Sequence, residues 1–148
     1  MIRALPAVLV LLFAMGSLAE ETPRHVSLKG YDTVAYFNES RPVKGTPEFH
    51  RDWDGARYYF ASEKNRDAFA ANPDRYAPQF SGFCAAAVSF NNKLEADPTI
   101  WKIVDGKLYV FADKKGLERV EKDPELLERA QRNWKAGNLK PGQPKPRL

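Results

Sequence analysis

Cys84 is the only cysteine in this chain of 148 residues, set in the mostly apolar run Gln79-Phe80-Ser81-Gly82-Phe83-Cys84-Ala85. A soft thiolate suits Cu(I) or Zn(II), and imidazole suits both. The chain holds two histidines, His25 and His50. With Asp32 as an oxygen donor, Cys84, His50 and His25 form the one candidate set for a metal ion. There is no Cys-x-x-Cys or His-x-x-x-His pair. The separations of 25 residues from His25 to His50 and 34 from His50 to Cys84 do not speak to closeness in space.

Each residue also has a plain structural role open to it. A free cysteine behaves as a small hydrophobe and is often buried, and Cys84 runs on into Ala85-Ala86-Ala87-Val88. Gly82, two residues before it, permits unusual backbone angles that would turn amides toward the sulfur. His25 lies in the segment leading into Gly30 and reads as solvated. In a regular strand His50 faces away from Phe49 and Trp53, so aromatics facing a core put His50 outward. Asp32 suits capping of the turn that follows it.

Catalysis finds little support. Cys84 with His50 would be the nucleophile–base pair, but the flanking residues match no nucleophile motif. There is no Gly-x-Ser-x-Gly, phosphate loop or helix-borne metalloprotease signature. Thiol redox chemistry from one cysteine would need an external resolving thiol.

The chain begins as exported proteins do. Met1-Ile2-Arg3 is a short positive start, Ala4 to Ala14 is apolar throughout, and Gly16-Ser17-Leu18-Ala19 sets small residues before a cut at Glu20. This predicts a signal peptide over 1–19, too short and wrongly flanked for a membrane span, and a periplasmic or secreted product with no later span. Its removal takes both methionines, Met1 and Met15, so methionine-based copper capture is excluded. The remaining 129 residues suit one domain, expected over 20–135. Losing Arg3 leaves 22 basic against 19 acidic residues, a net charge of +3. Without a basic, aromatic-studded face, nucleic acid is not an expected partner. The stretch 136–148, rich in lysine, proline and glycine, reads as a flexible tail.

The elements that must position these residues read as α+β: a small antiparallel sheet from two Asp-Gly hairpins, with flanking helices. Asp54-Gly55 would join 48–53 to 56–60, and Asp105-Gly106 would join 100–104 to 107–111. Ser62 caps a helix predicted over 63–71, which Asn72-Pro73 stops. After Asp123-Pro124, the apolar face Leu126, Leu127, Ala130 and Trp134 predicts a helix over 124–136. The dense aromatics, among them Tyr36, Trp53, Phe60 and Phe69, read as core. No internal repeat is apparent.

Three ordered blocks resemble secreted proteins of the YHS-domain family. Gly30-Tyr31-Asp32-Thr33-Val34-Ala35-Tyr36-Phe37 is similar to the GYDPVAYF opening, with Thr33 in place of proline. Trp53-Asp54-Gly55-Ala56-Arg57-Tyr58-Tyr59-Phe60-Ala61-Ser62, with Phe69 and Asn72-Pro73-Asp74-Arg75-Tyr76, resembles the family core. Tyr76-Ala77-Pro78-Gln79-Phe80-Ser81-Gly82-Phe83-Cys84-Ala85 resembles the segment after it. The likeness spans about 28–90. YHS domains accompany copper-transporting ATPases and other metal-handling proteins and are suspected of binding heavy metals. The resemblance therefore implies a metal-binding module for copper or zinc, with a metal ion or a metal-handling protein as partner. Many members carry cysteines where Ala61 and Asn65 stand here, so a metal role would have to be rebuilt around Cys84. The alternatives are a domain that binds a non-metal ligand or protein, with Cys84 packed in the core, and a thiol redox protein.

Overall fold

The computed structural model describes residues 22–23 and 25–142. After a two-residue strand β1 (His25–Val26), the backbone enters a tight left-handed turn at Leu28, Lys29 and Gly30, with φ of 45°, 52° and 86°. Left-handed backbone costs a non-glycine residue roughly 1–2 kcal/mol, so tertiary packing must hold this turn. Leu28, only 7 % exposed, supplies such an anchor.

Helix α1 (Ala35–Asn38) follows, and then the first hairpin, β2 (Thr46–Trp53) and β3 (Ala56–Phe60). Asp54 and Gly55 both have positive φ, as a two-residue hairpin turn of the right twist requires. The register slips between the pairs Thr46–Phe60 and His50–Tyr59. Helix α2 (Glu63–Ala71) starts at Ser62, whose hydroxyl accepts from Asn65 N, and ends as the sequence predicts before Asn72-Pro73. Asn72 caps α3 (Pro73–Tyr76).

Gln79 to Gly82 then repeat the opening turn, with φ of 58°, 53° and 80° at Phe80, Ser81 and Gly82. Helix α4 (Ala85–Ser89), β4 (Asn92–Lys93) and a second hairpin follow, β5 (Asp97–Val104) and β6 (Lys107–Phe111). Its Asp105-Gly106 turn has the same backbone, and its register slips at the matching place, between Asp97–Phe111 and Trp101–Val110. Asp113 caps α5 (Lys114–Lys122) by accepting from Gly116 N. Helix α6 (Glu125–Ala136) closes on Gly137 in the left-handed region, and β7 (Lys140–Pro141) runs parallel to β4.

The α+β class is as the sequence indicates, but two details differ. The hairpins lie in separate sheets, one ordered β1-β3-β2 with β1 parallel, the other β5-β6 alone. The start of the expected tail is also tied down, since Lys140 N donates to Asn91 O and Gly142 N to Lys93 O. The predicted signal peptide and the last residues of the tail fall outside the described residues.

The larger correction concerns repetition. Residues 27–77 and 79–136 run through the same order: left-handed turn, short helix, Asp-Gly hairpin with a slipped register, nine-residue helix with a side-chain cap, and a helix begun at Pro73 in one half and just after Pro124 in the other. The chain is a structural tandem. The N-terminal unit packs around Val34, Tyr58, Phe60 and Phe69, and the C-terminal unit around Val88, Tyr109, Phe111 and Ala130. A third cluster joins them, where Tyr36 and Leu28 of the first unit meet Leu108 and Val110 of the second. Tyr36 Oη donates to Pro98 O at 2.6 Å across that seam, and the Tyr36 and Trp101 rings meet edge-on at 5.2 Å.

Candidate functional site: a cavity beside Cys84

Asp32 is completely buried, and both its carboxylate oxygens are engaged. Oδ1 accepts from Val34 N at 2.9 Å and Ala35 N at 3.3 Å; Oδ2 accepts from Ala61 N at 2.9 Å and from Asn65 Nδ2 at 2.7 Å. Asn65 Oδ1 in turn accepts from Asn38 Nδ2 at 3.1 Å. A buried carboxylate is tolerated when donors replace its water, and here four do so. Asp32 thus pins α1 to the end of β3 and to α2, and its lone pairs are committed to the fold.

Cys84 stands in the second unit where Asp32 stands in the first. Each directly follows a left-handed turn and an aromatic residue, Tyr31 or Phe83. Asp32 N donates to Val43 O at 2.8 Å, and Cys84 N to Leu94 O at 2.9 Å. Tyr31 bridges to Lys44 as Phe83 bridges to Glu95. By the same correspondence Gly116 takes the place of Asn65, since each is bonded through its amide to the residue capping its helix. Phe90 takes the place of Asn38 by spacing, six residues after Cys84 as Asn38 is six after Asp32, although Asn38 ends α1 and Phe90 is the cap just beyond α4. The polar network Asn38–Asn65–Asp32 becomes Phe90–Gly116–Cys84.

Those exchanges leave a cavity. A space of about 360 Å³ is lined by Cys84, Gly116 and Phe90, with Ala86, Ala87 and Leu94 as apolar wall. Asn92, Asp113, Lys115 and Arg119 stand around it. The Gly116 backbone is not left-handed, and a Cβ there would stand against the wall of this space, 3.3 Å from Ala86 Cβ, 3.6 Å from Asp113 Oδ1 and 3.7 Å from Cys84 Sγ. Cys84 is 3 % exposed and caps α4 without a side-chain hydrogen bond.

The two histidines lie elsewhere. His50 is exposed on β2, where its Nδ1 donates to Pro47 O at 2.9 Å, while Phe49 and Trp53 pack inward as strand alternation requires. His25 is exposed on β1, beside Ala56, at the edge of a cleft of about 180 Å³ that reaches Trp53, Phe80 and Trp134. Neither lines the cavity at Cys84. Among the described residues, no group of three or more His, Cys, Asp or Glu side chains is placed to hold a metal ion.

Gly116, Phe90, Lys115 and Arg119 escaped the sequence reading, though a signal for them was present. Asp54-Gly55 and Asp105-Gly106, Phe60-Ala61-Ser62 and Phe111-Ala112-Asp113, and Asn72-Pro73 and Asp123-Pro124 all recur at a spacing of 51 residues. A fixed spacing of short turn-and-cap signals marks a repeat even where side chains have diverged. Aligning on it pairs Asn65 with Gly116.

No curated protein and no solved structure matches the chain. A family model does match, over most of the first unit from Val34 and as far as the second left-handed turn: residues 34–80 fit the YHS domain, and in this chain a second unit of like architecture follows it.

Proposed function

We propose that this protein is an exported binding module of the YHS type, periplasmic or secreted, which works through the cavity of its C-terminal unit. The leader pattern of residues 1–19 supports export. The observation that carries the binding reading is the exchange of Asn38, Asn65 and Asp32 for Phe90, Gly116 and Cys84, which turns a filled polar network into a lined space of about 360 Å³. Small-molecule sites occupy roughly 300–1,000 Å³ and combine apolar walls with a few polar groups. In this reading Asp32 is a structural cap and Cys84 a wall residue.

A second reading has its own support. YHS domains are associated with metal handling, and Cys84 brings one soft donor to the cavity wall. Cu(I) or Zn(II) held there would draw its further ligands from a metal-handling partner, since His25 and His50 stand on other faces. A Cu(I) titration against a competing chromophoric chelator, repeated with Zn(II), decides between the readings when Cys84→Ser is run alongside. The cavity reading expects the two proteins to compete equally poorly. Tight one-to-one binding lost in Cys84→Ser would replace it with the metal reading.

A further inference from the structure

We propose that the cavity beside Cys84 is a site for a small organic anion, with its apolar body inside and its charged group at the mouth. This rests on the binding reading above and adds the chemical class of the ligand. Within, the surface is that of Ala86, Ala87, Leu94, Gly116 and Cys84, which offers apolar contact and a polarizable sulfur. At the mouth stand Lys115 and Arg119, both exposed.

The charged groups around the mouth favour an anion. The one acid lining the cavity, Asp113, is committed by its cap, with Oδ1 accepting from Gly116 N at 2.9 Å. Glu121, on the same helix as Lys115 and Arg119, pairs outward with Lys102 at 3.1 Å. Arg119 is held by cation–π contact over the Phe90 ring at 5.4 Å, and Arg129 lies over the same ring at 4.7 Å. Arg129 is fixed further by donating from Nε to Ser89 O at 2.9 Å. Phe90, 47 % exposed, thus carries two guanidinium groups, of which that of Arg119 lines the cavity. A pre-oriented guanidinium is well matched to a carboxylate or phosphate.

The first unit supplies an internal comparison. At the matching positions it holds a carboxylate of its own, Asp32, and the buried amide of Asn65 that donates to it. The second unit has given up both and has set cations at the opening.

The test is an NMR titration of the ¹⁵N-labelled protein with octanoate and, separately, octan-1-ol, which share an apolar chain and differ in charge. Octanoate should move the amides of Ala87, Ala112 and Gly116 and bind at least about fivefold more tightly than octan-1-ol. That margin should vanish in the double variant Lys115→Gln, Arg119→Gln. Gly116→Asn, which restores the first unit's side chain, should abolish binding of both. Gly116→Ala should weaken it and serves if the asparagine variant does not fold. Equal affinity for the two probes would overturn anion recognition and leave the cavity as an apolar site. Undiminished binding by a folded Gly116→Asn variant would overturn the site's location. Failure of both probes to move these amides would sink the anion proposal and the binding reading together.

Discussion

Asn65 Nδ2 donates to Asp32 Oδ2 at 2.7 Å in the first unit, and the matching pair in the second unit, Gly116 and Cys84, leaves a cavity instead. The two halves share their element order, their left-handed turns and the slipped register of their hairpins, and at this pair of positions they differ in side chains. One half spends these positions on holding itself together, and the other leaves them open.

Asp32→Ala should therefore destabilise the protein by at least ~3 kcal/mol. Three backbone N–H groups and the Asn65 amide would lose their acceptor, and a buried donor left unsatisfied costs about 1–3 kcal/mol. Equilibrium urea unfolding measures this, and an unchanged midpoint would remove Asp32 from its capping role.

The tandem can be tested by rebuilding the first unit's network in the second. Cys84→Asp alone buries a carboxylate without its amide partner and should destabilise strongly. Adding Gly116→Asn should recover about 1–3 kcal/mol, the size of coupling expected for contacting residues in one network. A double-mutant cycle reads the coupling directly, and strict additivity would mean that the two positions do not correspond to Asp32 and Asn65.

Glycine substitutions should divide by backbone. Gly106 has φ of +72° and open space around its missing Cβ, so Gly106→Ala should cost about 1 kcal/mol through conformation alone. Gly116→Ala carries no such strain and should shift the thermal midpoint little, at the price only of a slight give by Ala86.

Alkaline pH should loosen the first unit. Tyr58 is 4 % exposed, and burial raises its hydroxyl pKa from 10.0 to about 12. Its folded-state pKa lies above the unfolded value, so its contribution is fully present below pH 10 and is lost as pH rises toward 12. By then the loss should reach about 2–3 kcal/mol. Tyr36, whose pKa burial pushes up further still, adds in the same direction. Unfolding midpoints measured from pH 8 to 12 should be flat at first and fall above 10, with Tyr58→Phe showing a shallower fall.

Acid should do the reverse at Asp97. Its side chain accepts from the Thr99 hydroxyl at 2.7 Å and from Thr99 N at 2.8 Å, and these hydrogen bonds lower its pKa below 3.8. That stability is present above the unfolded pKa and lost as pH falls through the folded one. Thr99→Val removes the hydroxyl and keeps the backbone N–H, so it should partly flatten the acid limb of the stability curve, and an unchanged limb would show that the hydroxyl bond contributes nothing.

Local chemistry sufficed for much of this structure. Asp-Gly needs positive φ at both positions and so announces both hairpins. Ser62 and Asn72-Pro73 bound a helix whose limits follow from capping and from proline's missing donor. The outward turn of His50 follows from strand alternation, and the capping role open to Asp32 from its place before a turn. These are short-range effects, carried by a few neighbouring residues. Tertiary structure decided the rest. Leu28, Lys29, Phe80 and Ser81 adopt left-handed backbone that nothing in their own chemistry favours, and the packing of the buried Leu28 and Phe80 anchors the two turns. Whether His25, His50, Asp32 and Cys84 meet depends on how two units are placed, which sequence spacing does not encode. The cavity is lined by Gly116 and Cys84, 32 residues apart in the chain, because a space between elements is defined only by the atoms that fold around it.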